Sequence, residues 1–250
     1  MGNLFTSTIG RKLIMSISGL FLILFLLFHM SMNIAAVFST EAYNAICEFL
    51  GANWYALAGT LILAAGFVVH IIYASILTLH NRSSRGTQRY AVEATPKSVT
   101  WASRNMFVLG LVVVLGLLLH LYNFWYNMQF AEIIGDHSLG AFGPTDGAAY
   151  IADLFSNPVY CLIYLIWFLA IWFHLTHGFW SAFQTIGWDN QIWMKRLKCL
   201  ANVFATVVFL GFALVVVVFY LRSLCGGACG VRRWPRKRPG ARAGPSAGTA

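Results

Sequence analysis

Residues 11–33 read R-K-L-I-M-S-I-S-G-L-F-L-I-L-F-L-L-F-H-M-S-M-N. Two cations stand at one end, and the apolar run behind them exceeds the roughly 20 residues a helix needs to cross a hydrocarbon layer. His29 lies inside that run. An imidazole in a membrane span is costly unless it pairs or binds something. Ser16, Ser18 and Gly19 lie one turn inside the charged end, where small side chains let a neighbouring helix or a flat macrocycle approach closely.

Outward from this stretch the pattern repeats. Of the 250 residues, 59% are hydrophobic and 10% charged, against about 25% charged in soluble domains. The mean hydropathy is +0.69. The fold class expected is an all-α membrane protein, a bundle of five transmembrane helices. Its spans fall at about 13–38, 54–79, 105–126, 159–183 and 200–221, within a domain of residues 1–229. Arg11 and Lys12 precede a span of full length with no small-residue cleavage pattern behind it, so the start is expected to stay as a span rather than leave as a signal peptide. Residues 39–53 are expected to be a short loop. Pro96 interrupts any helix through 81–104. Glycine and Pro144 make 127–158 an irregular connection, with a short amphipathic helix before it. The fifth span, without histidine, is expected to pack at the edge of the bundle. Residues 230–250, basic and rich in glycine and proline, are expected to be disordered.

Charge placement sets orientation. Arg11, Lys12, Arg82, Arg85, Arg89, Lys97, Arg104, Lys195, Arg196 and Lys198 share one side, while the loops 39–53 and 127–158 carry no Lys or Arg. The positive-inside rule then puts the N-terminus in the cytoplasm and the C-terminus outside. The net charge of +9 thus belongs to membrane topology and not to nucleic acid. The basic tail from Arg222 onward is the exception, and charge patterning does not account for it. Cys47, Cys161 and Cys199 read as small buried hydrophobes, and the spacing of Cys225 and Cys229 matches no strong metal motif.

Histidines mark the interior: His29, His70, His120 and His174 occupy four different spans. Haem iron takes axial histidine nitrogens, so four such residues suggest two bis-histidine haems. At about 1.5 Å per residue, His29 lies roughly 25 Å from Lys12 and His120 roughly 24 Å from Arg104, whereas His70 and His174 lie roughly 15 and 13–14 Å from the inner ends of their spans. Two levels about 10 Å apart result on the same rise. His29 pairs with His120 near the outer side, and His70 with His174 nearer the cytoplasm. His177 rivals His174 as the fourth ligand or contacts a haem propionate. His80, at an inner interface, reads as solvated or hydrogen-bonded. Arg11, Lys12 and Arg104 could meet propionates. Glu48, before the second span, is the candidate acid for quinone proton transfer, an ordinary solvated glutamate being the alternative. An inner quinone site near His80 and Trp101 is the other location.

Four stretches together carry a family resemblance: R-K-L-I-M-S-I-S-G with His29 downstream, F-V-V-H-I-I-Y-A around His70, L-L-L-H-L-Y around His120, and F-H-L-T-H-G-F-W-S at 173–181. Over about residues 8–222 the chain resembles the membrane cytochrome b subunit of succinate dehydrogenase/fumarate reductase, in its single-polypeptide, five-helix, dihaem form. In that family the ligand stands a turn before a G-x-W element, which corresponds here to His174 before Gly178 and Trp180. The long 127–158 connection and the basic tail depart from the compact pattern. The resemblance implies two haem b groups, a membrane quinone of the menaquinone type, and flavoprotein and iron–sulfur subunits on the cytoplasmic face. It implies electron transfer and quinone reactivity, with the dicarboxylate chemistry in the flavoprotein. Two alternatives stay open: a dihaem anchor of a hydrogenase or formate dehydrogenase, and a non-redox transporter, against which the lack of paired repeats counts.

The orientation has a direct test. In intact cells carrying a cysteine-free background, Ser138→Cys is expected to react with a membrane-impermeant maleimide and Thr87→Cys only after permeabilisation. The reverse labelling pattern overturns it.

Overall fold

The computed structural model describes residues 7–84, 100–136, 138–188 and 190–225. The expectations for Pro96 and for the tail at 230–250 lie outside the described residues. The helices, in chain order, are α1 (Thr8–Phe38), α2 (Thr40–Phe49), α3 (Trp54–Ser84), α4 (Trp101–Arg104) and α5 (Met106–His120). A π-helical segment (Leu121–Phe130) then leads into α6 (Ala131–Ile133), followed by α7 (Gly147–Leu154), α8 (Pro158–Thr185) and α9 (Gln191–Leu224). Five helical stretches are long and apolar enough to cross a membrane: α1, α3, the continuous Met106–Ile133, α8 and α9. No strand occurs among the described residues. The chain is a multi-pass, all-α membrane protein, as its hydropathy predicts. A helix satisfies its own backbone groups where water cannot.

Local chemistry ends the helices where they must turn. Ser39 caps α2, its hydroxyl accepting from the Ala42 amide at 3.1 Å. Asn157 accepts from Val159 N at 2.9 Å beside Pro158, whose fixed φ suits the first helical position. Asn190 caps α9 through Trp193 N at 2.8 Å. At the other ends, Gly135 and Gly187 take φ of +67° and +99°, the left-handed turn that closes a helix. The Asp136 amide accordingly reaches back to the Ala131 carbonyl at 3.0 Å and Trp188 N to that of Phe183 at 3.1 Å.

The chain divides into two compact units, each taking a segment of every long helix. The described residues of the first are 7–29, 60–84, 100–114, 167–188 and 190–210. Its core includes Ala102, Leu109 and Ala170, with Val112, Val113 and Phe173 packed against them. Indole donors stitch its helices together. Trp167 Nε1 donates to the Val113 carbonyl of α5, and Trp172 Nε1 to Thr206 Oγ1 of α9, both at 3.0 Å.

The described residues of the second unit are 30–59, 115–136, 138–166 and 211–225. Here the structure corrects the expectation of a plain loop at 39–53, because α2 occupies most of it. The hydropathy of α2 is too modest to signal a span, and its purpose is packing: Asn44 Oδ1 accepts from Ala148 N at 2.9 Å and so caps the start of α7. Gly147 fits there because a Cβ would lie within 2.9 Å of Tyr43 and closer still to Cys47 Sγ. Burial raises the Cys47 thiol to about 11 and the Tyr43 phenol well above its ordinary range. Both therefore stay protonated, and Cys47 is inert as its sequence setting suggests. Arg222 donates to the Val37 carbonyl at 2.8 Å, a cation on the negative end of α1.

A second expectation fails at α9. Instead of an edge helix it has the most buried apolar window of the five, 39% against 6% for α3. Its buried residues Leu197, Ala201, Ala205, Val208, Phe212, Val215, Val216 and Phe219 recur at helical spacing. Ala201 and Ala205 have no bulk to hold neighbours away.

Tyr150 is the hub of the connection at 139–150. Its hydroxyl lies 3.0 Å from the Phe142 carbonyl, 3.2 Å from that of Asn127 and 3.4 Å from the Phe142 amide. Removing it strands buried backbone groups at about 1–3 kcal/mol. Tyr150→Phe is expected to accelerate hydrogen exchange at 139–143 by that free energy, while exchange in α9 stays unchanged.

Candidate functional site

In the first unit, α3 and α8 bring His70 and His174 together, ring centroids 6.4 Å apart and planes inclined at 68°. Two imidazoles on opposite sides of one metal, with bonds of about 2 Å and ring centres about 1 Å behind each nitrogen, have centroids about 6 Å apart. The spacing therefore fits one iron between these two rings.

Glycines flank both imidazoles. A Cβ at Gly19 of α1 would stand 3.2 Å from His70 Cε1, and one at Gly110 of α5 3.6 Å from His174 Cε1. Nδ1 of His174 is buried without a hydrogen-bond partner, whereas Nδ1 of His70 lies 3.3 Å from Ser18 Oγ. An unsatisfied buried nitrogen of this kind is rare, and His177 Nδ1 shares the condition. Ser16 and Ser18 are the buried polar side chains among the described residues. The sequence marks them only as small.

His177, three residues beyond His174, serves a different contact. Its ring lies edge-on to Trp180 at 4.8 Å and 87°, its Nδ1 is buried without a hydrogen-bond partner, and Lys198 Nζ sits 4.6 Å from the same indole's centre. The imidazole facing His70 is thus that of His174. Trp101 packs on Phe173 at 5.2 Å, adjacent in sequence to His174. Arg11 lies half-buried in the first turn of α1, while Lys12, His80 and Arg104 are exposed.

His29, also in the first unit, stacks on Phe25 one turn before it, at 5.4 Å and 17°. His120 belongs to the second unit and ends α5. It lies 5.1 Å from Phe124 and edge-on to Tyr164 at 6.4 Å. Tyr164 is 2% exposed and accepts from Asn123 Nδ2 at 3.1 Å. Asn127 Nδ2 donates to the carbonyls of Tyr122 and Asn123, 3.0 Å each. This side chain accommodates the wide turn of the π segment, a geometry that recurs at functional sites. Sequence reasoning missed Asn123, Asn127 and Tyr164. Asparagines inside an aromatic run were the available signal. Glu48 is exposed on α2. Glu132 is tucked instead against Gly51, where a Cβ would meet its carboxylate, beside the bond from Gln129 Nε2 to the Gly51 carbonyl at 3.0 Å.

Among the described residues no cluster of three or more His, Cys, Asp or Glu side chains is gathered around a bare ion. A haem needs only two protein ligands, because its macrocycle supplies the others. Comparison with family models, curated proteins and solved structures finds no match.

The geometry separates the two rival ligands. His174→Ala is expected to lose one haem, and His177→Ala to keep both, by reduced-minus-oxidised spectroscopy with haem quantitation. Full haem content in the first variant with loss in the second overturns the assignment.

Proposed function

We propose that this chain is the membrane-anchor cytochrome b subunit of a succinate dehydrogenase/fumarate reductase complex. It carries two haem b groups and passes electrons between an iron–sulfur subunit and membrane menaquinone. The observation that carries this reading is the His70–His174 pair, whose 6.4 Å ring separation suits a bis-histidine iron. The resemblance along four of the spans supplies the family, and the hydropathy supplies the setting.

His70 and His174 would hold the inner haem, and His29 and His120, matched by sequence depth, the outer one. Bound there, the haems supply one-electron carriers across a layer that ions and electrons otherwise do not cross. The protein's part is to position the iron and tune it through ligand hydrogen bonds, burial and nearby charge. Arg11, Lys12, Arg104 and His177 are the donors available to propionates. Glu48 is the acid proposed for quinone proton transfer, which must accompany electron transfer to a quinone. The chain sits in the bacterial cytoplasmic membrane with its N-terminus inside and its C-terminus in the periplasm. Its soluble flavoprotein and iron–sulfur partners bind on the cytoplasmic face. Its own residues do no dicarboxylate chemistry.

Purification from the native membrane tests the whole reading. Two haem b per chain and copurifying flavoprotein and iron–sulfur subunits are expected. Replacing either histidine of a pair with alanine should remove one haem and spare the other. Copurifying hydrogenase or formate dehydrogenase subunits would reassign the complex. A haem-sufficient preparation without Soret absorption would replace electron transfer with a transport or structural role.

A further inference from the structure

The two rings of the inner pair are held unequally. Ser18 is 7% exposed, and its Oγ lies 3.0 Å from the Met15 carbonyl oxygen and 3.3 Å from His70 Nδ1. A hydroxyl has one hydrogen, and a carbonyl can only accept. Once that hydrogen goes to Met15, the serine oxygen meets the ring through a lone pair. His70 Nδ1 must then be the donor. A neutral imidazole protonated at Nδ1 has its lone pair on Nε2, and the hydrogen bond made by one ring nitrogen decides which nitrogen is free for a metal. Gly19 completes the arrangement. A Cβ there would stand 3.5 Å from Nδ1 and 3.2 Å from Cε1, so a larger side chain would crowd the edge that Ser18 reaches.

Across the pair, His174 has no such anchor. Its Nδ1 is buried with no acceptor, and the α5 backbone faces it at Gly110, where a Cβ would lie 4.0 Å from Nδ1. One ligand is therefore oriented by a hydrogen bond and the other by packing alone.

We propose that Ser18 is the positioning residue of the inner haem: it fixes His70 with Nε2 toward the iron and makes His70 the more electron-donating of the two ligands. The proposal rests on the haem reading above. A ring that donates its Nδ1–H is more basic at the ligating nitrogen. The more basic ligand favours the oxidised iron, so the contact lowers the potential of this haem.

The test is an optical redox titration of the b haems in the purified full chain with its partner subunits. Ser18→Ala is expected to raise the midpoint of one haem and leave the other unmoved. A tenfold change in the preference for oxidised iron is read as about 59 mV. Ser18→Thr is expected to restore the original midpoint, because its hydroxyl can make the same backbone and ring contacts. Gly110→Ser supplies the opposite sign. Its Cβ meets His174 only at 3.6 and 4.0 Å, and its hydroxyl gives Nδ1 an acceptor, so the midpoint of the same haem should fall.

Both midpoints unchanged in Ser18→Ala, with both haems present, would overturn the proposal and leave the functional reading standing. Equal shifts in Ser18→Ala and Ser18→Thr would also overturn it, because packing would then be the cause. Should Ser18→Ala lose its haem, a downward shift in Gly110→Ser with retention in Ser18→Thr upholds the proposal, and no shift in Gly110→Ser overturns it. A wild-type complex without haem would defeat the functional reading itself.

Discussion

A hydrocarbon layer offers no water to a polar side chain, and that constraint organises this protein. An unpartnered imidazole there costs free energy that burial of leucine and phenylalanine must outweigh. Four spans each carry at least one imidazole nonetheless. Two of these imidazoles face each other across 6.4 Å, with glycines on the helices beside them. Leucine would fill the same volume without a polar atom.

The same constraint explains the rest of the polar inventory. Indoles donate across helices, from Trp167 to a backbone carbonyl and from Trp172 to Thr206. Asn127 satisfies two carbonyls that the π segment would otherwise leave poorly bonded. In the second unit, Asn44 caps α7 and Tyr150 gathers three backbone groups. All but the Trp172–Thr206 bond meet a backbone group of another segment or of a helix end. The fold is therefore held by apolar packing along the spans and by a few side-chain-to-backbone bonds where the helices stop.

On the proposed electron-transfer reading, inequality between ligands is useful. Two carriers with identical surroundings would have identical potentials, and the direction of flow would depend only on their external partners. With a haem bound as proposed, a serine beside one ring and none beside the other would tune that single site. It requires one hydroxyl in a helix that already carries the cations Arg11 and Lys12 near its start.

How much of this could be read in advance follows from how local each property is. Spans at about 13–38 and 159–183 were visible because transfer free energy sums over neighbouring residues whatever they later touch. The four histidines stood out for the same reason, as polar residues inside apolar runs. Depth along a helix is also local, which is why His70 and His174 could be matched by counting residues. Helix α2 was not legible, since it owes its place to Asn44, Tyr43 and Cys47 meeting α7 a hundred residues later. The burial of α9 was hidden too, because an all-apolar helix does not announce which face it buries. Sequence by itself determined the membrane class, the five helices and the histidines inside them. Only the tertiary structure decided that His174 rather than His177 faces His70, and that Ser18 lies against the His70 ring. Those relations depend on the rotation and approach of separate helices, which residue spacing along one chain does not encode.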